Sequence, residues 1–235
     1  MDIERFAQKR NYEIVRYFSS KKNQVALVHR DGKYEVLKGF VESDIDAAYR
    51  ERVGLVMARE SGVAVPMVRG CWYNRILLLE YIEGKNVADL TPGELPEVAP
   101  ALARWFARLH FVKGGPSDTR FVHGDTILRN FVLMPRGGVA GVDLEEWEWG
   151  DPARDLAEIV ASALTMDPPF TPEAVTMARR LHREYILMAP NPGNARLQRE
   201  TVHALERIIE RRPKHSELLR EGMEEMLAHR RPFGR

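Results

Sequence analysis

The chain has 235 residues, 44% of them hydrophobic and 29% charged, a composition that supports a sizeable core and excludes a disordered chain. At this length one compound domain or two small lobes are the options, and a formal net charge of +1 gives no electrostatic ground for nucleic acid or a membrane surface as partner. The single cysteine, Cys71, excludes an internal disulfide framework and fits a reducing cytoplasm. The longest aliphatic run, Ile76-Leu77-Leu78-Leu79, falls far short of the roughly 20 residues that span a bilayer, and the opening MDIERFAQKR has no apolar run of the signal-peptide kind. The expectation is a cytoplasmic protein with no membrane partner.

Residues 12–18, 24–29 and 33–41 are rich in β-branched and aromatic side chains and are separated by Ser19-Ser20-Lys21-Lys22-Asn23 and Asp31-Gly32, which predicts an antiparallel meander. Residues 44–61 place Ile45, Ala48, Val53, Val56 and Met57 at helical spacing after an acidic start, with Gly62 just past the end, the pattern of a helix with a glycine C-cap. Pro66 blocks continuation, and strands are expected over 67–73 and 75–81 with a tight turn at Asn74. The character changes after Glu83-Gly84-Lys85, so the lobe boundary is set at Gly84, dividing the chain into 1–84 and 85–235. From Pro92 onward helices are expected over 100–111, where Leu102, Trp105, Phe106 and Leu109 form a core-facing stripe, from Asp151-Pro152, and over 172–187, 195–210 and 215–228. The predicted class is α+β: a five-stranded antiparallel N-terminal sheet with one helix, then a mainly helical second lobe.

The densest polar information lies in Phe121-Val122-His123-Gly124-Asp125-Thr126-Ile127-Leu128-Arg129-Asn130-Phe131 and in Val139-Ala140-Gly141-Val142-Asp143-Leu144-Glu145. Asp125 and Asn130 share a loop between short strands, and Asp143 ends an apolar strand. Three oxygen-bearing side chains at strand ends can hold a hard cation such as Mg²⁺, with substrate phosphates completing its shell. Phosphoryl transfer also needs a carboxylate to orient the attacking hydroxyl and a cation for the leaving phosphates. Lys38 sits inside the apolar strand Tyr34-Glu35-Val36-Leu37-Lys38, where burial requires a partner, and Glu51 on the following helix can supply it.

Taken together, Val36-Leu37-Lys38, Glu51, His123-Gly124-Asp125, Asn130, Asp143-Leu144-Glu145 and Gly150-Asp151-Pro152-Ala153-Arg154-Asp155-Leu156-Ala157 resemble, in order and spacing, the protein-kinase-like superfamily and within it the aminoglycoside and choline phosphotransferase group. Leu109-His110 and the segment Leu79-Glu80-Tyr81-Ile82-Glu83-Gly84, in the position of a lobe hinge, are similar as well. The resemblance implies a two-lobed protein-kinase-like fold that uses ATP and Mg²⁺. It implies that Lys38 contacts the α and β phosphates and is steadied by Glu51, that Asp125 faces the acceptor hydroxyl, and that Asn130 and Asp143 bind Mg²⁺. Main-chain groups of Glu80 and Ile82 would receive the adenine, and Asp155 would be a buried anchor for the catalytic loop. Glu145 is either an auxiliary metal carboxylate or a framework acceptor. His123 is expected to brace the loop, Trp147 and Trp149 either to stack a substrate ring or, the favoured reading, to pack in the core or at its rim, and Cys71 to be a buried, inert thiol.

Departures from the pattern narrow the function. The turn Ser19-Ser20-Lys21-Lys22-Asn23 has no glycine where protein kinases carry a phosphate loop, leaving the hydroxyls of Ser19 and Ser20 and backbone N–H groups to cover the phosphates. Only six residues separate Asp143 from Gly150, too few for an activation segment, and position 127 is Ile where protein kinases place a lysine. The function expected is transfer of the γ-phosphate to a hydroxyl of a small molecule; the alternatives are a small atypical Ser/Thr protein kinase and a nucleotide-binding pseudokinase scaffold. Residues 160–235 carry 13 Lys and Arg against 10 Asp and Glu, which points to a neutral or anionic acceptor, since a polycation needs a pocket dominated by carboxylates.

Overall fold

The computed structural model describes residues 3–20, 22–41, 43, 44 and 46–228. The predicted positions Lys21 and Ile45 lie outside the described residues. The chain opens with a short helix, α1 (Ile3–Lys9), then runs through β1 (Glu13–Phe18), β2 (Gln24–Arg30), β3 (Lys33–Gly39), α2 (Ala47–Glu60), β4 (Val68–Trp72) and β5 (Ile76–Glu80). The five strands form one sheet in the order β1-β2-β3-β5-β4 with antiparallel neighbours. Tyr73 and Asn74 both take positive φ (56° and 48°), the geometry of the expected tight turn.

The central strands β2, β3 and β5 are buried on both faces, and the strand period of two divides their side chains between them. Ala26, Val28, Leu37, Ile76 and Leu78 pack against Ile3, Phe6 and Ala7 of α1. Leu77 and Leu79 belong instead to the large core that includes Leu55 of α2 and the second lobe. The expectation of one helix in this region is therefore corrected to two. At seven residues α1 is too short to be helical on its own propensity, and its Ile3, Phe6, Ala7 stripe is stabilised by the sheet face it covers.

Beyond β5 follow β6 (Lys85–Asn86), α3 (Leu95–Leu109), β7 (Arg120–Val122), β8 (Phe131–Leu133), β9 (Val139–Gly141), β10 (Glu148–Gly150), α4 (Pro152–Leu164), α5 (Pro172–Ile186), α6 (Asn194–Arg211) and α7 (Ser216–Ala228). β6 pairs with β8 and β8 with β9, while β7 pairs with β10. Two predicted helix starts are corrected. α3 begins five residues before Pro100, whose missing N–H leaves the Pro96 carbonyl without its helical donor; Arg180 of α5 donates to that carbonyl at 3.1 Å. α2 begins at Ala47, three residues after Asp44, because the Asp44 carboxylate is engaged by Lys22 and Arg50. Cys71 is half-buried at the margin of the core, not fully enclosed. Among the described residues no helix is long and apolar enough to cross a membrane.

Candidate active site

Lys38 occupies the middle of the sheet, opposite Val25 of β2 and Leu77 of β5, and its side chain is only 5% exposed. An ammonium in that position needs negative partners. It has three: Glu51 of α2 at 2.6 Å, Asp143 at 2.5 Å and Glu145 at 3.1 Å. Burial opposes the charged form of Lys38, but the three carboxylates outweigh it and hold the group protonated well above the usual lysine range. Burial also pushes the Glu51 carboxyl above its ordinary range, with Asp143 and Glu145 adding to the effect against the pull of Lys38. Carboxylate oxygens of Glu51, Asp143 and Glu145 lie within 4.8 Å of one another, and the lysine ammonium among them is the structural reason they can be so close.

Glu145 serves as an acceptor in this cluster. The buried Asn23 amide donates to it at 2.6 Å, and Lys22 lies 3.8 Å away while pairing with Asp44 at 2.9 Å. The loop that carries Ser19 and Ser20 is thereby tied to the cluster, since Ser20 Oγ accepts from the Asn23 backbone N–H at 3.2 Å. The sequence offered Asn23 and Lys22 only as turn formers, and their pairing across 122 residues has no local signature.

The second group is built on the loop after β7. His123 donates from Nε2 to the Val142 carbonyl at 2.9 Å and accepts at Nδ1 from the Asp125 N–H at 3.3 Å, so both ring nitrogens brace the loop. Gly124 has φ +84°, and a Cβ there would stand 2.1 Å from the Glu146 carbonyl oxygen; the position admits glycine only. Asn130 donates from Nδ2 to the Asp125 carbonyl at 2.8 Å and to Asp125 Oδ2 at 3.1 Å. The Val142 N–H donates to the Asn130 carbonyl at 2.9 Å, which sets Asn130 beside the residue preceding Asp143. Asp143 itself takes left-handed backbone angles, a conformation that aspartate tolerates better than most residues.

Beneath the loop, Asp155 is 1% exposed and accepts from the N–H groups of His123 at 2.7 Å and Gly124 at 3.1 Å. His110 Nε2 approaches the same carboxylate at 3.2 Å, and His110 Nδ1 lies 2.9 Å from the buried Tyr185 hydroxyl. An ionised Asp155 accepts only, so His110 donates from Nε2 and accepts the Tyr185 hydroxyl proton at Nδ1. Burial opposes the charge on Asp155, and the His110 hydrogen bond and the His123 N–H outweigh it, holding the carboxyl below its ordinary range. Tyr185, on a helix that shows only a core stripe, is with Asn23 and Lys22 among the residues that the sequence does not single out.

The predicted residues thus fall into two contacting sets, Lys38 with Glu51 and Asp143, and Asp125 with Asn130, joined through Val142. Glu80 ends β5 with its carboxylate on Arg59 and the Met67 N–H, and among the described residues no hydrogen bond or ion pair joins Glu80 or Ile82 to either set. Trp147 and Trp149 pack against Phe121, Trp147 stacked at 4.7 Å and Trp149 edge-on at 5.5 Å.

A model of the phosphotransferase enzyme family matches residues 42–197. No relative is found among curated protein sequences. Among solved structures the fold is similar to a thermostable mutant of aminoglycoside phosphotransferase APH(4)-Ia (TM-score 0.69, 13% identity, covering 96% of this chain and 98% of that one). It is similar to macrolide 2'-phosphotransferase MphH from Brachybacterium faecium (0.65, 17%, 94% and 97%) and to APH(2")-IIa in a ternary complex with streptomycin and ATP (0.62, 14%, 95% and 98%).

Proposed function

The chain belongs to the phosphotransferase enzyme family, and from that premise we propose that it moves the γ-phosphate of ATP, with Mg²⁺, to a hydroxyl of a small molecule. The observation that carries this reading is the junction at Val142: one backbone hydrogen bond of 2.9 Å sets the Asp125–Asn130 pair next to the Asp143–Lys38–Glu51 cluster. Phosphoryl transfer requires a hydroxyl-orienting carboxylate and a phosphate-holding cation side by side.

In this mechanism Lys38, fixed by Glu51, holds the α and β phosphates, and main-chain groups of Glu80 and Ile82 take the adenine. Ser19 and Ser20 cover the phosphates from the β1–β2 loop. Asp125 orients the acceptor hydroxyl and receives its proton as the hydroxyl oxygen bonds to the γ-phosphorus and the bond to ADP breaks. The residues present fit Mg²⁺: Asn130 spends its Nδ2 on Asp125, which leaves Oδ1 as a ligand, and Asp143 uses Oδ1 for Lys38 and keeps Oδ2, giving the all-oxygen set that a hard cation takes. When bound there the ion would neutralise charge on the phosphates. We place the nucleotide-binding lobe at 1–84 and the acceptor-side lobe at 85–235, supported by the pairing of Lys85 and Asn86 with β8.

A neutral or anionic acceptor is supported by how the acids near Asp125 are used. Glu158 of α4, which accepts from the Thr126 N–H beside Asp125 at 3.4 Å, presents no unpaired charge, since Arg207 of α6 covers it at 2.8 Å. The short link from Asp143 to β10, which pairs at once with β7, offers no segment on which a protein substrate would rest. The test is a screen of hydroxyl-bearing metabolites and antibiotics for ADP release against a no-acceptor control. Acceptor-dependent release supports the proposal, and release that no acceptor stimulates overturns it.

A further inference from the structure

Glu51 must stay against Lys38 for the site to hold phosphates, and only six residues separate Asp143 from Gly150, so whatever seats α2 from this side lies in that short segment, which packs on α2. α2 carries a glycine, Gly54, in its interior, where glycine weakens a helix. Gly54 lies three residues after Glu51, on the same face and buried with it. The reason for the glycine is contact: a Cβ at Gly54 would stand 2.4 Å from Trp147 Cδ1 and 2.9 Å from its Nε1. The same indole donates from Nε1 to the Arg50 carbonyl at 2.7 Å, one residue before Glu51. Arg50 answers by donating from Nε to the Glu145 carbonyl at 3.2 Å. The other face of the ring stacks on Phe121 at 4.7 Å with planes 3° apart, and Phe121 belongs to β7, which leads directly into His123 and Asp125.

One indole, carried by the segment that follows Asp143, therefore touches both the helix turn that bears Glu51 and the strand that delivers Asp125. We infer that Trp147 is a positioning residue, a strap that seats Glu51 on Lys38 through its close approach to Gly54. The strap rests on the phosphotransfer reading for its purpose, but the seating of the ion pair can be measured without nucleotide.

The experiment follows Lys38 with an amine-acylating reagent, quantified by mass spectrometry against the exposed Lys113, beside KM and kcat for ATP in the intact chain. Gly54→Ala adds a methyl group where the indole lies while making α2 intrinsically a better helix, so weaker helix formation cannot explain a loss. The expected result is Lys38 acylation faster by about tenfold and KM for ATP raised by a similar factor, with Lys113 unchanged, because the ion pair no longer protects the amine or presets it for phosphates. Trp147→Phe keeps a ring on Phe121 but gives up the N–H donor, so a rise of about threefold is expected from the loss of one hydrogen bond. Its smaller ring also makes room for the alanine methyl, so the double variant is expected to be less impaired than the sum of the two. The double variant also serves if Gly54→Ala fails to fold. Unchanged Lys38 acylation in the folded variants, or strict additivity in the double, would overturn the strap. Faster Lys38 acylation in variants of a parent that never turns over ATP would support the strap and overturn the phosphotransfer reading.

Discussion

Asp155→Ala is the sharpest test of how the loop after β7 is held. The wild-type carboxylate accepts from the His123 and Gly124 N–H groups and from His110, at 2.7, 3.1 and 3.2 Å, in a site where Asp155 and His110 are 1% and 2% exposed. Each buried donor left without a partner costs about 1–3 kcal/mol. The three are coupled and do not add, because His110 can change tautomer and turn its N–H toward Tyr185, so a total of about 4 kcal/mol is expected. For a chain of this size that lowers Tm by about 12 °C. Asp155→Asn keeps one oxygen for His123 and His110 and orphans only the Gly124 N–H, so about 2 kcal/mol and half the shift are expected. The measurement is thermal unfolding by circular dichroism, with and without Mg²⁺ and ATP, across pH. The folded-state carboxyl titrates below its unfolded value, so its contribution is complete above the unfolded pKa of about 3.9 and disappears as pH falls through the lower folded one. The gap between parent and Asp155→Ala therefore closes on acidification below about pH 4. An alanine variant melting within about 2 °C of the parent at neutral pH would refute the reasoning, since buried donors cannot be orphaned that cheaply.

Asp125→Asn is expected to retain nucleotide binding in a thermal-shift titration while turnover in a coupled ADP assay drops by about 10² or more, because an amide cannot take the hydroxyl proton. Asp143→Ala should abolish the stabilisation that Mg²⁺ and ATP together confer, since a ligand stabilises only states that bind it; a titration curve equal to the parent's would remove Asp143 from the site. Lys38→Met strands Glu51 and Asp143 together without a cation and leaves Glu145 only the more distant Lys22, and a loss of about 3–5 kcal/mol in chemical denaturation is expected from breaking a buried pair. Steady-state kinetics with a polycationic aminoglycoside beside neutral sugars and phosphorylated metabolites should show the polycation as the poor substrate, and efficient phosphorylation of it would refute the assignment of the acceptor's charge.

The elements of the N-terminal sheet were legible because strand alternation and turn chemistry are local: Asp31-Gly32 and Asn74 mark their turns whatever the rest of the chain does. The residues of the two contacting sets were legible as candidates because Lys38, Glu51, Asp125, Asn130 and Asp143 stand in a motif order whose spacing survives without any knowledge of contacts. Tertiary structure decided what local pattern does not encode. α1 forms because a sheet face is there to cover it, and α3 runs through Pro100 because Arg180, 80 residues away, supplies the missing donor. Asp44 reads as a helix start and is instead drawn to Lys22 and Arg50. Glu145 reads in sequence as either a metal carboxylate or a framework acceptor, and only the fold brings Asn23 and Lys38 onto it. Gly54 in a helix and Trp147 beside a helix start are each unremarkable in sequence. Only the fold brings an indole face within contact of that backbone, because close packing is a property of pairs of surfaces and not of either segment alone.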